Sequence, residues 1–190
     1  MAEQLNHTNS EIVYIDFSRA SMSFAQKRIL MRRCSKIVWV ADWIENIPRL
    51  GLSKFDLVQC IGVLHHLKRP QMGLDILKER LVQNGGLSLM MYAKYGRTGV
   101  YQIQYLLGII NTHQKTMLIE IEEAKIILKM LPAYHWAYHI PYISMIDPDT
   151  AGNIRIYDLL LHKRDLSYSV PDLIEYLEPV SYTHLRAHET

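Results

Sequence analysis

The chain has 190 residues, of which 49% are hydrophobic and 21% charged, with a formal net charge of +2. That length supports one well-buried domain, and the charge balance leaves no electrostatic footprint for nucleic acid or an anionic membrane surface. Two cysteines are too few for a disulfide framework or a metal–thiolate cluster, and no apolar run reaches the roughly 18 residues of a membrane span. The first residues have neither the basic nor the apolar region of a signal peptide, so a cytoplasmic location is the expectation.

In chain order, short β-rich runs alternate with helical patterns, the signature of a parallel sheet with helices on its faces. Met1–Leu5 reads as the last turn of a helix, and Ile12–Ile15 as a β-branched strand ending at Asp16. Ser18 is placed to cap a helix through Arg33, with Met22, Ala25 and Ile29 on one face. Ile37–Val40 is a second strand, ending at Asp42-Trp43. Phe55–Ile61 is a third, apolar enough to be covered on both faces. Cys60 within it reads as a small buried thiol.

Pro70 fits the first turn of the next helix, whose Leu74, Leu77 and Leu81 share a face and which Asn84-Gly85-Gly86 stops. Leu87–Tyr92 is the fourth strand. Thr98–Asn111 and Leu118–Leu131 read as helices, followed by an aromatic and proline-rich loop over Pro132–Asp149. Ile154–His162 fits either a strand or a buried helix. Ser169-Val-Pro-Asp172 is a capping box for a short helix through Leu177.

Three strand ends carry the chemistry. In an open α/β sheet, ligands bind beyond the carboxyl ends of the strands. Asp16 ends the first visible strand and can accept both hydroxyls of a ribose. Asp42 ends the second and can accept from the exocyclic amine of an adenine, with Trp43 as a stacking face. Gly62, in Cys60-Ile-Gly-Val-Leu-His-His66, lets backbone and ligand approach closely. An acid after a strand also serves as a cap or turn residue, so the order of the set carries more than any member. His65 and His66 are a structural pair, a metal site or a catalytic base. Adjacent residues do not share one side of a strand or helix, which argues against chelation by both, and no metal is expected.

The run Phe55-Asp-Leu-Val-Gln-Cys-Ile-Gly-Val-Leu-His-His-Leu-Lys-Arg-Pro70, with Asn84-Gly85-Gly86 ahead of the next strand, resembles the class I S-adenosylmethionine-dependent methyltransferases. Tyr95-Gly-Arg-Thr-Gly-Val-Tyr-Gln-Ile-Gln104 and Leu160-Leu-His-Lys-Arg-Asp-Leu-Ser-Tyr-Ser-Val-Pro171 are similar to one uncharacterised subgroup of them. The resemblance implies a doubly wound, Rossmann-like α/β sheet with a helical C-terminal elaboration. Residues 1–97 would be a partial cofactor-binding core and 98–178 a helical lid and substrate region. The polar stretch 179–190 resembles a translated sequencing adapter and is expected to be a non-native tail. No glycine precedes Gly51, so the family's first strand and glycine-rich loop have no counterpart. The missing strand would be a central one, and this stretch alone is expected to express poorly and not to bind cofactor.

By the same resemblance, S-adenosylmethionine is the cofactor. Asp16 would bind its ribose with Phe17 and Ser18 alongside, Asp42 and Trp43 would frame the adenine, and Cys60, Ile61 and Gly62 would line the floor under the methionine. The sulfonium carbon is already electrophilic, so the protein has mainly to hold an acceptor in line with it. His65 or His66 is the nearest base. Tyr92, Lys94, Tyr95 and Arg97 follow the fourth strand and are candidate contacts to the acceptor, a small molecule or a protein. The alternatives are a nicotinamide-dependent reductase, for which Asp16 would serve equally and a Tyr-x-x-x-Lys pair is wanting, and a degenerate domain kept for protein contacts.

Overall fold

The computed structural model describes residues 8, 10–32, 36–111, 115–139, 152–162 and 164–178. The chain divides into two compact units, Met1–Gln59 with Arg69–Ser88, and Cys60–Lys68 with Leu89–Thr190.

In the first unit, β1 (Ile12–Ile15) and β2 (Ile37–Val40) pair in parallel with Ile12 opposite Ile37 and Ile15 opposite Val40. A parallel pair needs a long crossover, and α1 (Arg19–Met31) supplies it, capped by the Ser18 hydroxyl accepting from the Ser21 N–H. The basic end of the expected helix, Arg33, lies outside the described residues. A 3₁₀ segment, Ile44–Arg49, packs on α2 (Pro70–Glu79). Proline opens α2, where its missing N–H costs nothing. Ile47, Leu74, Ile76 and Leu77 are the buried hydrophobic residues of these two segments, and Leu81 is buried just beyond.

β3 (Phe55–Ile61) pairs with β4 (Leu81–Met90), beginning with the Phe55 N–H donating to Arg80 O. Two readings are corrected here. The helix ends at Glu79 and Leu81 already belongs to the strand, so Asn84-Gly85-Gly86 lies inside β4 rather than at a helix cap. Neither glycine takes a positive φ. Gly85 is there for close approach, since a Cβ would sit 3.1 Å from the Phe55 carbonyl oxygen and 3.0 Å from Leu81 Cδ2. β3 is also not covered on both faces. Leu57 and Ile61 are exposed, because a two-stranded ribbon has too little surface packed on it to bury both sides. Among the described residues no strand joins the β1–β2 pair to the β3–β4 pair.

The second unit holds β5 (Tyr92–Ala93) and β6 (Ser167–Tyr168), a parallel pair with Tyr92 opposite Ser167. Between them come α3 (Thr98–Ile110), α4 (Met117–Met130), a 3₁₀ turn (Trp136–His139) and α5 (Asn153–Ile156), which runs on as a π-helical turn, Tyr157–Leu161. Ile154–Leu161 is therefore helical and His162 is its extended cap, which periodicity alone left undecided. α6 (Val170–Leu177) closes the described chain with the expected capping box, Ser169 Oγ accepting from the Asp172 N–H and Asp172 accepting from the Ser169 N–H. The core is Val100, Ile103 and Leu107 of α3 against Ile121, Ala124 and Leu128 of α4, with Ala137, Ile156 and Leu160. The expected turn at Met1–Leu5 and the tail 179–190 lie outside the described residues, as does most of the aromatic loop.

Gly99 lets α3 approach the 3₁₀ turn. A Cβ there would overlap the Ala137 backbone nitrogen and stand 2.7 Å from Trp136 C and Ala137 Cα. Gly99→Ala is expected to destabilise the protein by about 1–3 kcal/mol, the usual cost of overpacking. Thermal and urea melts would read the loss, and an unchanged midpoint would show that the turn yields freely.

Candidate functional site

In the first unit, parallel pairing puts the carboxyl ends of β1 and β2 on the same side, and Asp16 and Asp42 follow those ends. The Asp16 N–H continues the ladder by donating to Val40 O (3.1 Å). Asp16 Oδ1 accepts from the Ser18 N–H (2.8 Å) and Oδ2 from the Tyr14 hydroxyl (3.2 Å), so the carboxylate is oriented from both sides. Burial and the neighbouring Asp16 charge raise the Tyr14 pKa, keeping it a donor. Asp42 Oδ1 accepts from Asn46 Nδ2 and from the Trp43 N–H, both at 2.7 Å. These two bonds hold the Asp42 carboxyl below its usual range, hence ionised.

Phe17 and Trp43 stack at the same strand ends, with centroids 4.3 Å apart and planes 9° from parallel. Phe17 is 60% and Trp43 53% exposed, an uncommon state for two large apolar rings and one suited to stacking against a planar ligand. The residues singled out at β1 and β2 therefore gather into one constellation.

In the second unit, Cys60 is buried and Ile61 exposed. Burial pushes the Cys60 thiol up to about 11, against a smaller lowering by the Leu64 backbone. Gly62 has φ +72° and donates its N–H to Met90 O (3.2 Å), a left-handed position that favours glycine. A Cβ there would come within 3.3 Å of Met90 Cε.

A polar cluster follows directly. Leu64–His66 is a 3₁₀ turn, and the His65 and His66 rings lie 4.2 Å apart. A tight turn brings adjacent rings together where a strand would not. Tyr92 lies 3.9 Å from His65, and the Arg97 guanidinium stands 3.4 Å over the Tyr92 ring. Arg97 Nη2 also reaches Asp165 Oδ2 (3.3 Å), which accepts from Gln104 Nε2 as well (2.9 Å). The His66 Nδ1 lies 2.7 Å from Arg164 O. A carbonyl only accepts, so Nδ1 carries the proton and Nε2 presents its lone pair. His162 stacks 4.0 Å from His66.

His65 is fully buried, and among the described residues neither ring nitrogen has a hydrogen-bond partner. Such a group costs about 1–3 kcal/mol. Burial first, then His66, Arg97 and His162, push its pKa down to about 3, so it is a neutral imidazole and a poor proton acceptor. Of the expected acceptor contacts, Tyr92 and Arg97 join this cluster, whereas Lys94 and Tyr95 are exposed. Asp165, Gln104 and His162 were given no role from the sequence. Their only signal was the two segments quoted for their family likeness, Tyr95–Gln104 for Gln104 and Leu160–Pro171 for His162 and Asp165, because their partners lie far away along the chain.

Residues 1–87 match the family model described as "Methyltransferase domain". An uncharacterized protein of Synechococcus sp. is 33% identical over 122 residues, 60% of this chain and 28% of that protein. Among solved structures, PKMT2 from Rickettsia typhi in complex with AdoHcy aligns with a TM-score of 0.61 at 16% identity, over 95% of this chain and 35% of that one. A further structure of PKMT2 gives 0.66 at 17% identity, over 94% and 35%. The chain thus spans roughly a third or less of these relatives, and the structural likeness is one of fold, α/β and Rossmann-like. No helix among the described residues is long and apolar enough to cross a membrane.

With its thiol protonated until about pH 11 and its side chain buried, Cys60 is expected to resist alkylation. Iodoacetamide treatment followed by peptide mass mapping should show slow labelling at pH 8 that accelerates only toward pH 11. Rapid modification of the folded protein at pH 8 would contradict this environment.

Proposed function

We propose that this chain, whose residues 1–87 match a methyltransferase-domain family model, is part of a class I, S-adenosylmethionine-dependent enzyme that transfers the sulfonium methyl group to a nucleophilic acceptor. The products are S-adenosylhomocysteine and the methylated acceptor, a small molecule or a protein side chain. The observation that carries the reading is the pair of oriented carboxylates, Asp16 and Asp42, at the same end of two parallel strands beside the exposed Phe17–Trp43 stack.

In this reading Asp16 accepts the ribose hydroxyls, with Phe17 and Ser18 beside it, and Asp42 accepts from the adenine amine while Trp43 supplies a stacking face. In the second unit, Cys60, Ile61 and Gly62 are the family's methionine floor. Tyr92 and Arg97 are acceptor contacts, with Lys94 and Tyr95 on the adjoining surface. Of the two candidate bases, His66 is favoured over His65, because its Nε2 lone pair is available while His65 is buried with a pKa near 3. Residues 98–178 are the substrate-selecting segment.

Calorimetric titration of S-adenosylhomocysteine into the product of the full reading frame, beside its Asp16→Ala variant, tests the assignment. The parent should bind, and the variant about 10–100-fold more weakly, the loss expected for charge-assisted hydrogen bonds worth roughly 1.5–3 kcal/mol. Silence from the full-frame protein would overturn the methyltransferase reading.

A further inference from the structure

We infer that His65, His66 and Asp165 form a binding site for a divalent transition-metal ion, zinc or its first-row neighbours, which is independent of the cofactor assignment above but takes the place of the base role given there to His66. One ligand-capable atom from each of the three residues lies within 4.8 Å of the other two. Two imidazole nitrogens and one carboxylate oxygen suit zinc, iron(II), cobalt or nickel, and not magnesium or calcium, which take oxygen shells.

Proximity alone is common among histidines and acids, and two further observations point to an ion. First, His65 is fully buried with neither ring nitrogen hydrogen-bonded among the described residues, and Asp165 Oδ1 is buried and likewise unpartnered. The Asp165 side chain is only 4% exposed. Buried polar atoms are normally satisfied, and a single cation would satisfy both. Second, the surrounding bonds orient the remaining lone pairs as outer partners orient metal ligands. Arg164 O accepts the His66 Nδ1 proton, which leaves Nε2 as the donor atom. Arg97 and Gln104 bind Asp165 Oδ2, which leaves Oδ1 as the donor atom.

Ligand atoms about 2.0–2.1 Å from a tetrahedral ion stand roughly 3.4 Å apart, so modest side-chain rotations close the site. Three protein ligands leave a coordination position open, as in catalytic rather than structural centres. The positive charge of Arg97 works against the ion. Its guanidinium is, however, already engaged by Asp165 Oδ2 and the Tyr92 ring.

Cobalt(II) is the probe. Titration of the metal-stripped full-frame protein should give visible d–d absorption that saturates at one equivalent and is displaced by zinc. Asp165→Asn and His66→Gln should each weaken cobalt binding at least about tenfold, with circular dichroism checking that both variants stay folded. His135→Gln, outside the cluster, should leave it unchanged. Absence of stoichiometric cobalt binding overturns the site, as does binding that survives both cluster variants, which would assign the ion to other histidines. S-adenosylhomocysteine calorimetry on the same samples reads the cofactor separately, so failure of one does not imply failure of the other.

Discussion

A parallel strand pair can be closed only by a crossover that carries the chain back to its starting end, and both units depend on that constraint. In the first, α1 returns the chain so that β1 and β2 finish together, which is why Asp16 and Asp42 face one side. In the second, β5 and β6 pair only after two long helices and two shorter helical turns have been traversed. Pairing Tyr92 with Ser167 brings the residues just before β6 alongside the His65 turn, and the Leu166 N–H donates to His65 O (3.2 Å). Asp165 reaches Arg97 and Gln104 as a consequence of that register.

The carboxylates on these frames are treated differently. Asp42 is half-buried and is held ionised by local donors, an arrangement that leaves lone pairs for a ligand. Asp165 is buried, where an ion pair gains little over an apolar substitute but becomes costly when one partner is removed, at roughly 3–5 kcal/mol. The first geometry suits exchange of a soluble ligand. The second suits a fixed cluster whose members hold one another in place, which explains why Tyr92, Arg97 and Gln104 converge on so small a volume.

Legibility in the sequence followed the range of the interaction. The Asp16 turn, the Ser18 cap and the Ser169–Asp172 capping box are all set within three residues, and each was readable from the sequence. Asn84-Gly85-Gly86 misled because glycine serves two needs, a left-handed cap and a close backbone approach, and only the pairing of β3 with β4 decides between them. The covered third strand failed for a related reason, since apolar composition records what a strand can bury and not how many neighbours it has. Asp165 was invisible because its partners are 61 and 68 residues away, and no periodicity spans such a distance.

The adjacent histidines show how far local rules reach. On a strand, neighbouring side chains point to opposite faces, and that rule argued against a shared role for His65 and His66. The 3₁₀ turn abolishes it and turns both rings toward Tyr92. Once together, the two imidazoles cannot do the same work. His65 is too deeply buried to hold a proton near neutrality, whereas His66 has its tautomer fixed by Arg164 O and one lone pair to give. That lone pair serves either an acceptor's proton or a metal ion, never both at once. A protein that keeps an ion there would have to pass the acceptor's proton to a group other than His66. One that keeps none leaves His66 free as the base, and with it a buried His65 that no described residue satisfies.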